Sequence, residues 1–203
     1  VQALASSPHL GRLEALALHD SNLEPEGMRV LAGSPRFGGL TSLSLSFGLT
    51  TGSRWPGDEG CEELASSPHL RNLTTLRLSE GAVSDRGLQA LVAPHNVSGL
   101  TRLGLSHNNF TDKGVRSLAA SAHLSGLRGL SLDGNVIGDA SATAIASSPN
   151  LARLATLDLG ERVGDVGAEA LAASASLRGL RTLMLGGQDL TDRGVRALAS
   201  SPN

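Results

Sequence analysis

The segment Leu-x-x-Leu-x-Leu occurs seven times, beginning at Leu13, Leu40, Leu73, Leu100, Leu127, Leu154 and Leu180. The intervals are 27, 33, 27, 27, 27 and 26 residues, and every copy keeps all three leucines. A chain with this self-similarity folds as a stack of like units. One such unit loses about 1–2 kcal/mol of backbone entropy per ordered residue. Its few leucines return about 1.5–3 kcal/mol each. A single unit therefore cannot fold alone and must share a core with its neighbours.

The unit can be read by numbering columns from its first Leu. Leu-x-Leu alternation has period two, so columns 4 and 6 point to one face of a short strand and columns 3 and 5 to the other. An apolar residue returns at column 11 in Leu23, Val83, Phe110, Ile137 and Leu190. An Asp then precedes a Gly by two residues: Asp58-Gly60, Asp85-Gly87, Asp112-Gly114, Asp165-Gly167 and Asp192-Gly194. Repeat five keeps Asp139 but places Ser141 in the Gly column. From there the apolar spacing becomes three and four, the helical period. Ser84, Thr111 and Thr191 precede Asp85, Asp112 and Asp192, and each pair is expected to cap the exposed amides that open a helix. Pro8, Pro35, Pro68, Pro94, Pro149 and Pro202 close the units, because the residue before a proline avoids helical angles. Each unit is strand, turn, helix and return loop.

This pattern resembles the leucine-rich repeat family over essentially the whole chain. The period of 27 residues with a helix is similar to the ribonuclease-inhibitor-like class. The phrases Leu-Ala-Ser-Ser-Pro-His-Leu and Asp-Arg-Gly-Val-Arg-x-Leu-Ala are similar to long bacterial arrays of that class. The resemblance implies an α/β fold: a right-handed solenoid, or horseshoe, with a parallel β-sheet on the concave side and short helices on the convex side. It also implies protein binding on the concave side. Residues 1–203 are expected to form one domain, with a partial unit over 1–12. The family places Asn at column 9, where it bonds the turn backbone. Asn108 and Asn135 fit, whereas Ser21, Gly48, Gly81 and Gln188 stand there elsewhere, and repeat six is shorter by one residue. An irregular turn ladder follows.

Composition narrows the function. Seventeen basic against nineteen acidic residues leave a net charge of −2, with 2% aromatics; nucleic-acid binders show a basic balance with interleaved aromatics. One Cys, Cys61, excludes an internal disulfide framework and a Cys-rich zinc site; it is read as a buried structural thiol. No apolar run approaches the ~20 residues of a membrane-crossing helix. The glycines are spaced by repeat, so no phosphate-cradling loop forms. His19-Asp20-Ser21 is contiguous and cannot aim three side chains at one atom. The Asp column is read as capping, and His9, His69 and His123 as a solvated polar slot. The sequons at Asn72, Asn96 and Asn109 are read as chance. No catalysis, metal or cofactor is expected. Sixteen of the basic residues are Arg and only Lys113 is Lys, which fits a GC-rich bacterial genome. The chain opens and closes in mid-pattern, so it is expected to be a piece of a longer array, prone to self-association through uncapped ends. The single Cys is compatible with a cytoplasmic location.

The candidate site is the concave floor. Columns 3 and 5 hold mostly small residues, among them Ala15, Ala17, Ser42, Ser44, Thr75, Gly104, Gly129 and Ser131. Three guanidiniums rise from it in adjacent units: Arg77, Arg102 and Arg128. Neighbouring strands lie about 4.8 Å apart, so these can form one patch. Glu80, Asp133, Asp158 and Glu161 lie further along, and His107 sits beside its strand. The charges either neutralise one another on a wet surface or form a mixed-charge contact zone for a protein ligand. Repeat two carries six extra residues between Gly48 and Gly60, including Arg54, Trp55 and Pro56. Trp55 with Phe47 would form an aromatic anchor at the rim, or Trp55 would fold inward to fill column 11. The reading is a protein-recognition module. Its alternative is the substrate-selecting arm of a larger enzyme or effector, ubiquitin-ligase-like or GTPase-activating, whose chemistry lies outside these residues.

Overall fold

The computed structural model describes residues 1–48, 56–93 and 97–202. Seven strands form one parallel sheet in chain order: β1 (Ala15–Leu18), β2 (Ser42–Ser46), β3 (Thr75–Ser79), β4 (Arg102–Gly104), β5 (Gly129–Ser131), β6 (Thr156–Asp158) and β7 (Thr182–Met184). The register matches the leucine columns. Leu43 pairs with Leu76, Leu76 with Leu103, Leu103 with Leu130 and Leu130 with Leu157. These leucines are at most 2% exposed. Leu16 and Leu18 of β1, and Leu183 of β7 with the following Leu185, are only half-buried; each end strand has a sheet neighbour on one side only.

The helices are α1 (Gln2–Ser6), α2 (Pro25–Gly33), α3 (Gly57–Ser66), α4 (Asp85–Val92), α5 (Asp112–Ala120), α6 (Asp139–Ala146), α7 (Asp165–Ala172) and α8 (Asp192–Ala199). They line the side of the sheet opposite the outward-facing columns, and one continuous apolar cluster runs between the two layers. Its rungs include Met28, Cys61, Leu88 and Val115, all at most 1% exposed. No helix among the described residues is long and apolar enough to cross a membrane.

Two side-chain ladders tie the convex layer together. At the helix exits, the Oγ of Ser67, Ser121, Ser148, Ser174 and Ser201 donates to the carbonyls of Ala32, Val92, Ala119, Ala146 and Ala172, at 2.5–2.7 Å. These bonds satisfy carbonyls that a helix end leaves without an intrahelical partner. The sequence shows the proline of this exit, but the serine makes the tie.

The ladder at the helix starts shows which helix each cap serves. Ser84, Thr111 and Thr191 do cap their own helices, accepting from the amides of Arg86, Lys113 and Arg193. The aspartates instead serve the following repeat. Asp58 accepts from the amide and hydroxyl of Ser84. Asp85 accepts from Thr111 and Gly114, and Asp165 from Thr191 and Gly194. The glycine column follows from this reach: a Cβ at Gly114 would stand 2.6 Å from Asp85 Oδ1. Where Ser141 replaces that glycine, its hydroxyl donates to Asp112 Oδ1 at 2.6 Å.

In the turns, Asn108 Oδ1 accepts from the amides of Gly81 and Val83, both at 3.1 Å, and its Nδ2 donates to the Leu78 and Leu105 carbonyls. Asn135 Nδ2 repeats the donation to Leu105 and Leu132. In repeat two the apolar slot before the helix is filled by Pro56, which is buried. Arg54, Trp55, Pro94 and Asn96 lie outside the described residues.

Candidate functional site

The outward columns of β3 to β7 present the charged residues. Arg77 pairs with Gly104 across β3 and β4, and Arg102 with Gly129 across β4 and β5. Both arginine stems lie on the glycine of the next strand. A Cβ at Gly104 would stand 3.1 Å from Arg77 Cγ, and one at Gly129 would stand 3.4 Å from Arg102 Cγ. Arg102 Nε also donates to Thr75 Oγ1 at 3.3 Å. Both arginines are exposed. Among the described residues, neither guanidinium pairs with a carboxylate.

The acidic group lies on β6 and just beyond β5. Asp133 Oδ1 accepts from Ser131 Oγ at 3.0 Å and, through a very short bond, from Ser106 Oγ. Ser131 Oγ also approaches Asp158 Oδ2 at 3.4 Å, and Asp158 Oδ1 accepts from the Gly160 amide at 3.1 Å. His107 Nε2 stands 3.5 Å from Asp133 Oδ2, and its ring lies against Gly134. Arg77, Arg102, Gly104, Ser131, Asp158 and Met184 together line a depression of about 400 Å³ in the sheet face. A second, larger groove of about 660 Å³ on the turn side is lined by residues including His107, Asp133, Asp158, Glu161 and Arg162.

Backbone strain marks this rim. Column 8 is left-handed in Asp20 (φ 48), Glu80 (φ 61) and His107 (φ 55), and also in Gly134 (φ 68). Non-glycine residues pay about 1–2 kcal/mol for that conformation. Strain of this kind clusters where a side chain must be presented.

The structure brings together Arg77, Arg102, His107, Asp133, Asp158 and Glu161 along these two hollows. Arg128 is exposed but stands at column 2, before β5, outside both. Glu80 is half-buried at the rim, its amide donating to the carbonyls of Ser106 and His107. Phe47 is a correction: it is 2% exposed, inside the core rather than on the rim. Gly81 makes room for it, since a Cβ there would stand 3.1 Å from Phe47 Cδ2. The repeat pattern does not signal Ser106, Met184 or the seats at Gly104 and Gly129; only the strand register shows them.

The cluster contains Ser, His and Asp, but not in the order that activates a nucleophile. Ser106 and Ser131 donate to the carboxylate, and the imidazole meets the other carboxylate oxygen. A serine nucleophile needs the base at its own hydroxyl. Among the described residues, no group of three or more His, Cys, Asp or Glu is placed to hold a metal ion. The arrangement suits noncovalent polar contact.

Two stretches, 69–92 and 100–119, match the family model described as Leucine Rich repeat. The structure of internalin C2 from Listeria monocytogenes is similar at 22% identity and a TM-score of 0.54, over 94% of this chain and 78% of that one. The fold is a leucine-rich-repeat solenoid. A further internalin (inlF) of Listeria monocytogenes matches at 20% identity and a TM-score of 0.43, over 98% of this chain and 68% of that one. No curated protein matches the chain. In this leucine-rich-repeat solenoid the charged hollow occupies the open sheet face of repeats three to seven.

Proposed function

We propose that this chain is a non-catalytic recognition module that binds a protein ligand across its concave sheet. One observation carries the reading. Two arginines with no carboxylate partner among the described residues rest their stems on glycines of a parallel sheet, beside a hydrogen-bonded acidic group. Arg is favoured in interface hot spots, and a solenoid's extended sheet suits a protein surface. We read residues 1–203 as one repeat domain. We place it in the ribonuclease-inhibitor-like class, on its 27-residue spacing and its convex α-helices of mostly eight to ten residues.

The test is affinity capture from cell lysates with the immobilised chain, compared with an Arg77→Ala/Arg102→Ala variant and an Arg128→Ala control. Proteins retained by the wild type and the control but lost by the double variant support the reading. Identical retention by all three overturns it.

A further inference from the structure

We infer that the concave depression is bipolar and selects a partner segment carrying a carboxylate and a cationic side chain in a fixed spacing. This inference rests on the recognition reading and names the chemistry of the ligand. The anion-accepting end is Arg77 and Arg102, on β3 and β4. Their stems rest on the Gly104 and Gly129 seats; Arg102 Nε donates to Thr75 Oγ1, and neither guanidinium pairs with a carboxylate among the described residues. Guanidinium binds carboxylate in a forked, charge-assisted geometry.

The cation-accepting end is Asp158, which lines the depression, with Asp133 in the adjoining groove. Their oxygens are oriented by Ser106, Ser131 and the Gly160 amide. Both carboxylates are half-buried, and among the described residues the one basic group within 4 Å of either is His107. Met184, 51% exposed, stands on β7 beside Asp158. It offers an apolar surface to the methylene stem of a lysine or arginine, which buries its stem and keeps its charge in contact with a partner.

Measured to Asp158, the two ends are separated by two to three inter-strand steps, from β4 or β3 to β6; Asp133, which follows β5, is one step closer. At about 4.8 Å per step this is roughly 10–14 Å. An extended chain rises about 3.3 Å per residue, so the acid and the base sit roughly three or four residues apart. The depression between them, about 400 Å³ and lined also by Ser131 and Thr156, leaves room for a backbone. The geometry excludes a polyanion: a nucleic acid or polyphosphate seated on the arginines would run its next charges onto Asp133 and Asp158.

The test is selection of a random dodecapeptide display library on three immobilised proteins: wild type, Arg77→Ser/Arg102→Ser and Asp133→Asn/Asp158→Asn. All four positions are on the sheet face or its rim, outside the apolar core, so unchanged far-UV circular dichroism certifies the variants. Wild type is expected to enrich peptides with an acid and a base three or four residues apart. The arginine variant should lose the acid and keep the base; the aspartate variant should do the reverse. Affinity for a selected peptide should fall about tenfold or more in each, which is about 1.4 kcal/mol. Apolar or single-signed peptides that still depend on Arg77 and Arg102 overturn the bipolar assignment and leave the recognition reading standing. Enrichment indifferent to both variants, or no enrichment, overturns the bipolar assignment, and indifference counts against the recognition reading as well.

Discussion

Asp85 Oδ1 lies 2.9 Å from the amide nitrogen of Gly114, one repeat further on, and 2.7 Å from that of Thr111. One carboxylate thus opens a helix to which it does not belong, and locks two units together. Asp85→Ala removes the acceptor for both amides and for the Thr111 hydroxyl. Losing a cap of this kind costs about 0.5–2 kcal/mol, measurable by urea denaturation. Gly114→Ala should cost about 1–3 kcal/mol by overpacking, because the new Cβ meets Asp85 Oδ1 at 2.6 Å and Leu88 Cδ2 at 3.1 Å. Gly114→Ser should cost less, since Ser141 already solves the same problem by donating to Asp112. Equal losses for Ala and Ser would remove the explanation.

The ladder makes stability fall in acid. Burial pushes the Asp85 carboxyl up, but the bonds from Thr111 and Gly114 outweigh it and hold it below the ordinary value. The Thr191 hydroxyl, then its amide and that of Gly194, hold Asp165 low as well. A carboxyl whose folded pKa is depressed contributes fully above its unfolded value, about 3.9, and loses that contribution as pH falls through the folded value. Urea midpoints should be flat above about pH 5 and drop below about pH 4. Asp85→Asn/Asp165→Asn should flatten the acid limb; an unchanged slope would assign the acid sensitivity elsewhere.

His107 holds φ 55 in a column where Gly134 holds φ 68. Relief of the left-handed penalty, about 1–2 kcal/mol, exceeds the entropic cost of glycine, about 0.5–1 kcal/mol. His107→Gly should therefore raise the thermal midpoint slightly, although it removes the contact to Asp133. A lowered midpoint would show that this contact outweighs the strain.

Cys61 is 1% exposed. Burial first, then the charges of Asp58 and Glu62, pushes its thiol up to about 12. The thiolate is the reactive form, so the native protein should resist a disulfide-exchange reagent at neutral pH and react fully once unfolded. Rapid stoichiometric labelling of the native chain would contradict the burial.

The glycine seats can be tested apart from the arginines. Gly129→Val keeps a residue that suits a strand, but its branches enter the space of the Arg102 stem, already 3.4 Å from a bare Cβ. Fold stability should be kept, while affinity for a selected peptide falls to the level of Arg102→Ala. Unchanged affinity would mean that the arginine finds an equivalent place.

The leucine repeat, with the change to helical spacing after each Asp-x-Gly, determined the strand positions, the helix that follows each, the parallel order of the sheet and the buried columns. Period two and period 3.6 report burial directly, and stacking is the only way such short units close a core. The helix-exit prolines and the Asp-x-Gly column were also legible, but the destination of each Asp was not, because its partner is 25 to 29 residues away. The same holds for Phe47, which occupies a rim column yet turns inward because Gly81 of the next unit leaves a hollow. It holds too for Arg77 and Arg102, whose posture is set by Gly104 and Gly129. Periodicity records whether a position faces the core or solvent. What a side chain meets there depends on the residue beside it in the adjacent unit, and only the tertiary register decides that.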